Sequence, residues 1–349
     1  MNIKSLLIGS AAALAAVSGA QAADAIVAAE PEPLEYVRVC DAFGTGFFYI
    51  PGTETCLKFS GYIRFQTNFG RDASGASDWD SMTRAQFNID TRSDTEFGAL
   101  RGYIGFRGNA DSGIGSSTAG TSGNLGSAVF VEQAFIELAG LRVGKSTGWW
   151  DDGVELGGET DELFSNATFN SVRYTYDAGS FWAGVSVDEL EGVTVGSYNE
   201  RDNNIGVVVG AGAKLDGFAF QLIGGYDTDR ENGAVRLIAT AGIGPGTLGL
   251  AGVWASGANA YYNVSEWAVA AEYAIKATDK LKITPGFQYY GGYGIASWDE
   301  FSDNDAWKAG LTVDYKITDG LTTKLTANYL DIDNRPEQWT GFLRLQRSF

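Results

Sequence analysis

Residues 56–68 read Cys56-Leu57-Lys58-Phe59-Ser60-Gly61-Tyr62-Ile63-Arg64-Phe65-Gln66-Thr67-Asn68. Leu57, Phe59, Ile63 and Phe65 fall on one face of an extended chain, and Lys58, Ser60, Arg64 and Gln66 on the other. Successive side chains of a strand point to opposite sides, so this is a strand with one apolar and one polar face. The period of two recurs along the chain. Ala85, Phe87 and Ile89 alternate with Arg84, Gln86, Asn88 and Asp90. Leu100, Ile104 and Phe106 alternate with Arg101, Tyr103 and Arg107. Later, Trp267, Val269, Ala271, Tyr273 and Ile275 oppose Glu266, Glu272 and Lys276, and Leu311, Val313, Tyr315 and Ile317 oppose Lys308, Thr312, Asp314 and Lys316. Leu325, Ala327 and Tyr329 oppose Lys324, Thr326 and Asn328, and Leu343 and Leu345 oppose Arg344 and Gln346.

The alternating segments run for about 9 to 13 residues, the length of a tilted strand crossing a bilayer rather than the roughly 5–6 of a globular strand. Alternation by itself also fits a soluble sandwich. Three further features favour a membrane barrel. Aromatic residues gather near segment ends, at Trp79, Tyr261-Tyr262, Tyr289-Tyr290 and Trp339, as interface girdles do. Short turns alternate with long polar connections. The short ones are Arg92-Ser93-Asp94, Ala139-Gly140, Asp177-Ala178-Gly179, Asp216-Gly217, Pro245-Gly246, Thr278-Asp279 and Thr318-Asp319-Gly320. The long ones lie near 69–80, 109–127, 146–169, 189–202, 228–232, 256–263, 292–304 and 331–337. Eight long and seven short connections join sixteen strands and leave both termini on the short-turn side. Finally, the chain ends on a strand whose last residue is Phe349. The expected fold is all-β: a 16-stranded antiparallel transmembrane barrel.

No stretch after residue 22 reads as a membrane helix. Leu237 to Ser265 is uncharged, but Pro245-Gly246 and further glycines would break a helix there, whereas two strands about a turn fit. Residues 1–22 have a different pattern. Lys4 precedes the apolar run Leu6 to Gly19, and Ala20-Gln21-Ala22 supplies a small-residue cleavage site. That run is too short to span a bilayer and has the layout of a secretory signal peptide cut before Ala23. Residues 23–349 then form one domain: an N-terminal tether and disulfide loop over 23–56, acidic and Pro-containing from Ala23 to Pro33, and the barrel over 57–349. In an oxidising compartment Cys40 and Cys56 pair by default. Closing that loop stabilises by about 3 kcal/mol in the chain-entropy picture.

Composition narrows the function. The chain of 349 residues has no His, two Cys and a net charge of −18, or −19 once Lys4 is removed with the signal. Absence of His excludes Ser-His-Asp and Cys-His catalysis and any His metal site, and two Cys cannot complete a four-cysteine site. The acidic balance argues against nucleic acid as a partner. Gly244-Pro245-Gly246-Thr247-Leu248-Gly249 matches a dinucleotide fingerprint, but no helix follows it. No cofactor or metal is expected. Asp303-Asn304-Asp305 and Asp331-Ile332-Asp333 do not complete a calcium loop.

Function should lie in the third long connection. Trp149 to Phe169 carries Asp151, Asp152, Glu155, Glu159, Asp161 and Glu162 and no Lys or Arg. These carboxylates belong either to a solvated external loop or to a loop folded into the barrel. In the second case they face basic residues on the polar faces of early strands: Lys58, Arg64, Arg84, Arg101, Arg107, Arg142 and Arg173. A transverse field of that kind filters solutes by size and charge. Arg92, beside a turn, reads as solvated.

The run Tyr36-Val37-Arg38-Val39-Cys40-Asp41-Ala42-Phe43-Gly44-Thr45-Gly46-Phe47-Phe48-Tyr49-Ile50-Pro51-Gly52-Thr53-Glu54-Thr55-Cys56-Leu57-Lys58, followed by Gly61-Tyr62-Ile63-Arg64, resembles the opening of alphaproteobacterial porins, the major outer-membrane porins of Brucella and rhizobial bacteria. Gly341-Phe342-Leu343-Arg344-Leu345-Gln346-Arg347-Ser348-Phe349 resembles that family's ending, with Arg347 standing where outer-membrane barrels commonly carry an aromatic or aliphatic residue. The resemblance implies a trimeric channel of the Gram-negative outer membrane for small hydrophilic solutes, with the third loop entering the lumen. Outer-membrane lipid, lipopolysaccharide and the barrel-assembly machinery are the implied partners, with Phe349 as the assembly signal. The net charge suggests weak cation preference. Rival readings are a plugged barrel acting as adhesin or envelope anchor, a secreted lectin-like sandwich, and a solute-specific channel.

Overall fold

The computed structural model describes residues 37–71, 76–111 and 129–349. The expected signal peptide, the tether over Ala23–Pro33 and the middle of the first two long connections lie outside them. Sixteen antiparallel strands form the barrel: β1 Cys56–Arg71, β2 Ser77–Thr95, β3 Gly98–Asp111, β4 Val129–Leu138, β5 Leu141–Thr147, β6 Thr168–Asp177, β7 Phe181–Glu189, β8 Ile205–Leu215, β9 Phe218–Asp227, β10 Asn232–Ile243, β11 Gly246–Ala255, β12 Ser265–Lys276, β13 Leu281–Tyr293, β14 Ala306–Thr318, β15 Leu321–Ile332 and β16 Gln338–Ser348. Each strand pairs with its chain neighbours, and β16 pairs with β1 from Trp339↔Arg71 to Ser348↔Tyr62, which closes the sheet and removes its edges.

The pattern of exposure follows the sequence period. Every barrel strand carries an exposed large apolar side chain, from Phe65 on β1 and Phe87 on β2 to Leu325 on β15 and Leu343 on β16. Water does not reward such a ring, and lipid does. The intervening positions are polar and buried, among them Gln66, Gln86, Gln221, Gln288, Thr312 and Asn328. The exposed face is thus apolar on every strand, whereas the opposite face is polar over much of the ring and carries apolar side chains over part of β8–β13.

Turn chemistry fixes the register. Between β4 and β5 only Ala139 (φ 51°) and Gly140 (φ 84°) intervene. Positive φ at both central residues is the type I′ geometry whose twist matches paired strands. The first short turn corrects the sequence reading. Arg92, Ser93 and Asp94 are strand residues paired with Arg101, Leu100 and Ala99, and the chain reverses at Glu96-Phe97. The Thr95 hydroxyl donates to Gly98 O at 2.6 Å and accepts from Phe97 N at 3.2 Å, while Gly98 takes φ 104°. Polar Ser93-Asp94 resembled a turn, but the left-handed glycine sits four residues further on. Strand lengths also depart from expectation in both directions, with β2 longer at 19 residues and β5 shorter at 7.

Within the described barrel, most of the buried apolar side chains form one cluster on the polar-face side of β8–β13. It joins Trp149, Trp150, Leu156 and Leu163 of the third long connection to Val208, Ile223, Ile238, Val253 and Tyr290 of the wall and to Tyr261 and Tyr262. The last three tyrosines are fully buried, so they are not girdle residues; Trp79 and Trp339, 70% and 54% exposed, fit a girdle. Tyr290 occupies a polar-face position of β13, and Tyr261-Tyr262 belong to a connection that packs onto the cluster.

Candidate functional site

The connection 148–167 leaves β5 and returns into β6, and Gly148 N donates to Ala167 O at 2.6 Å across its base. Its first arm is held by buried Arg236 of β10, which donates to Trp150 O at 2.5 Å and Trp149 O at 3.0 Å, and by Gln221 of β9, which donates to Asp152 O at 2.8 Å. The backbone carbonyls of the arm thus find partners on the polar face of the wall, as buried carbonyls must. Trp150 stacks on Tyr261, and Trp149 packs at a tilt against Trp182.

The turn over 157–162 meets β12–β15. Glu272 of β12 accepts from Gly158 N at 2.5 Å, Thr160 N at 3.1 Å and Asp161 N at 3.3 Å. Gln288 of β13 accepts from Glu162 N at 2.6 Å and donates to Glu162 O at 3.0 Å. Thr312 of β14 accepts from Glu159 N at 3.0 Å, and the Thr160 hydroxyl donates to Asn328 Oδ1 of β15 at 3.1 Å. Lys282 donates to Gly157 O at 2.8 Å. A recess makes this approach possible. A Cβ on Gly286 would lie 2.7 Å from the Thr160 side chain, and one on Gly310 would lie 2.5 Å from Thr160 Oγ1. The return arm is tied by Ser165 N to Tyr261 O at 2.9 Å.

The six carboxylates of this connection divide into two groups. Glu159 pairs with Lys324 at 2.6 Å and lies 3.8 Å from Arg344, and Glu162 lies 3.7 Å from Lys308. Asp161 sits beside Glu272. Burial, and then the Glu272 charge, push its carboxyl up to about 7, against the pull of Lys308. Asp151, Asp152 and Glu155 are exposed and make no ion pair among the described residues. Although Asp151 is exposed as a residue, protein surrounding its carboxylate partly strips it of water, and this, then the charge of Glu155, raises it above the ordinary aspartate value.

The basic residues singled out in the sequence occupy the polar faces of β1–β6, but none pairs with a carboxylate of the connection. Arg101 pairs with Asp90 at 3.0 Å and lies 3.9 Å from Glu137; Arg107 pairs with Glu132 and Arg142 with Glu137, each at 2.5 Å. Arg173 is buried, donates to Thr147 O and stacks on Trp149. Lys58 donates to Thr45 O. Arg64 and Arg84 stand directly opposite one another and bond to Gln346 and Asn109, with no acidic partner among the described residues. Arg92 is not simply solvated: it pairs with Asp90 at 3.1 Å. The bases that meet carboxylates of the connection, Lys308, Lys324 and Arg344, come from the last three strands. The wall residues that hold it, Arg236, Glu272, Gln288, Thr312 and Asn328, were not singled out either. Several were legible as polar-face positions, but which strands the connection meets depends on closure of the sheet.

Cys40 and Cys56 form a disulfide, with both side chains buried. Phe349 is 58% exposed and exchanges backbone hydrogen bonds of 3.0 Å with Gly61 of β1.

Comparison with known proteins agrees with this architecture. A family model described as "Porin subfamily" matches residues 24–342. Outer membrane protein IIIA of Rhizobium leguminosarum bv. viciae is 49% identical over 98% of this chain and 93% of its own length. Porin Omp2b of Brucella suis is 33% identical over the full length of both chains. Among solved structures, a loop L8 deletion mutant of OmpT, an outer membrane protein of Vibrio cholerae, superposes with TM-score 0.62 at 16% identity, covering 85% of this chain and all of its own. An apolar-banded barrel closed from sixteen strands, and relatives matched from end to end, make this chain a member of the porin family: a non-enzymatic channel protein of the outer membrane.

Proposed function

We propose that the protein is a homotrimeric passive diffusion channel for small hydrophilic solutes and ions, weakly selective for cations, with connection 148–167 as the inward-folded third loop that forms its constriction. The observation that carries this reading is the meeting of Glu159 with Lys324 and Arg344: the acidic connection lies against basic side chains on the polar faces of distant strands. Asp151, Asp152 and Glu155, without an ion pair among the described residues, add negative charge, which attracts cations to a narrow polar passage. Solutes move down their gradients with no cofactor, filtered by width and charge. Export by a signal peptide cut before Ala23, recognition of Phe349 by the barrel-assembly machinery, and a setting of outer-membrane lipid and lipopolysaccharide complete the proposal.

A second reading of selectivity rests on Arg64 and Arg84, whose lack of acidic partners among the described residues favours anions. Reconstitution in planar bilayers under a salt gradient separates the two. A cation-side reversal potential is expected, and an anion-side one would overturn the selectivity. Conductance steps in multiples of three support the trimer. Saturable block by one sugar or anion would replace general diffusion with a solute-specific channel.

A further inference from the structure

The short-turn end of the barrel carries a feature that the constriction does not use. Strand β16 stops short of the start of β1: its last pair is Ser348↔Tyr62, followed by the Phe349–Gly61 hydrogen bonds. Residues 56–60 therefore project beyond it. Phe48 and Tyr49 cover part of this edge by pairing with Leu57 and Cys56, and Val39 bridges to Phe48. The Cys40–Cys56 disulfide ties the resulting hairpin to the first residue of β1.

The two adjacent phenylalanines of the hairpin face opposite ways. Phe48 lies 5.8 Å from Phe59, on the exposed apolar face. Phe47 turns to the polar face and is 4% exposed. Lys58 Nζ lies 5.6 Å and Arg92 Cζ 5.1 Å from its ring centroid, and Lys58 also donates to Thr45 O of the hairpin at 3.1 Å. Beside them, Asp90 pairs with both Arg92 and Arg101. Two cations thus share one carboxylate, and the hairpin lays an aromatic face against one of them, Arg92, and against Lys58. Covering a strand edge requires backbone pairing only; it does not require a ring directed at the wall's cations.

We infer that the disulfide-tied hairpin 39–56 is a second selectivity element, at the short-turn end of the lumen, and that Phe47 is its specificity-determining residue. The inference rests on the pore reading above. The negative face of the ring holds the heads of Lys58 and Arg92 close to the wall. It also fills volume that a solute would otherwise use. Held in this way, the two cations repel a passing cation less than they would if extended into water. The disulfide is needed because a hairpin this short has too few backbone bonds to persist alone.

The test uses the full chain in planar bilayers under a potassium chloride gradient. Phe47→Ala is expected to raise single-channel conductance and move the reversal potential toward anions. Phe47→Leu, which keeps most of the volume but has no π face, is expected to move the reversal potential and leave conductance near wild type. Dithiothreitol added to an already inserted wild-type channel is expected to reproduce Phe47→Ala without any refolding, and Cys40→Ser to abolish that response. If Phe47→Ala and reduction both leave conductance and reversal potential at wild-type values, the hairpin is an edge cover alone and the inference falls while the pore stands. A wild-type chain that inserts without conducting removes both.

Discussion

The carboxylate of Glu159 accepts from the ammonium of Lys324 at 2.6 Å, linking the third long connection to strand β15, 165 residues further along the chain. Both side chains are about a quarter to a third exposed, so the pair adds no more than roughly 1 kcal/mol to stability. Its effect should appear in permeation instead. Lys324→Ala leaves Glu159 with Arg344 alone, and the reversal potential is expected to move toward cations. Glu159→Gln is expected to move it the other way. Both variants should keep the wild-type unfolding midpoint in detergent within about 1 kcal/mol; a shared large loss of stability would show the pair to be structural.

Glu272 accepts three backbone N–H groups from the turn over 158–161. Removing a buried acceptor leaves its donors unsatisfied, at about 1–3 kcal/mol for each group. Glu272→Ala is therefore expected to release the turn while the strand ladder stays intact. The signature is increased open-channel current noise and faster proteolysis within 148–167, with the β-sheet circular dichroism unchanged. A quiet channel with wild-type protection would show that Gln288, Thr312 and Asn328 hold the turn without it.

Asp161 has a titration within reach of ordinary experiments. Its carboxyl, ordinarily at 3.8, is pushed up to about 7 by burial and the Glu272 charge. Between these values the docked segment keeps a proton that a free aspartate has lost. Docking is therefore favoured fully below 3.8, and this contribution fades as pH rises through 7. Above 7 the segment also carries one more negative charge. Cation preference is expected to step upward across pH 7, and Asp161→Asn should flatten the step. A wild-type reversal potential constant across this range would refute the assignment.

Ala139 takes φ 51° at the first central position of the β4–β5 turn. An L residue with a Cβ is held there at a cost of roughly 1–2 kcal/mol. Ala139→Gly is expected to recover about 1 kcal/mol of that, visible as a higher urea midpoint in detergent, with no change in conductance. A lower midpoint would mean that the entropy glycine adds to the unfolded chain outweighs the relieved strain.

The barrel was legible in the sequence because its physics is local. Each strand alternates since one face meets lipid and the other does not, so Phe65 beside Arg64 already reveals both faces. Seven short turns and eight long connections then give the strand count. Local pattern misled where two structures share one composition. Ser93-Asp94 looks like a turn yet lies in a strand, and Tyr261-Tyr262 resembles a girdle yet is buried among side chains from distant parts of the chain. The site was half legible. The acidic run from Asp151 to Glu162 was visible, as were the basic polar faces of β1–β6. Their pairing was not, because Arg101, Arg107 and Arg142 find Asp90, Glu132 and Glu137 on their own or neighbouring strands, and Arg64, Arg84 and Arg173 bond to neutral groups.

The sequence by itself determined the class of the protein: strands with two faces, an even count, both ends on the short-turn side, and a third connection rich in carboxylates. Tertiary structure decided what that connection touches. Lys324 and Arg344 meet Glu159 only because β16 pairs with β1 and bends the sheet into a ring, bringing the last strands to face a segment that leaves β5. A period of two is a property of one strand. Which polar face stands opposite which connection is a property of the closed ring, set by the register of sixteen strands together.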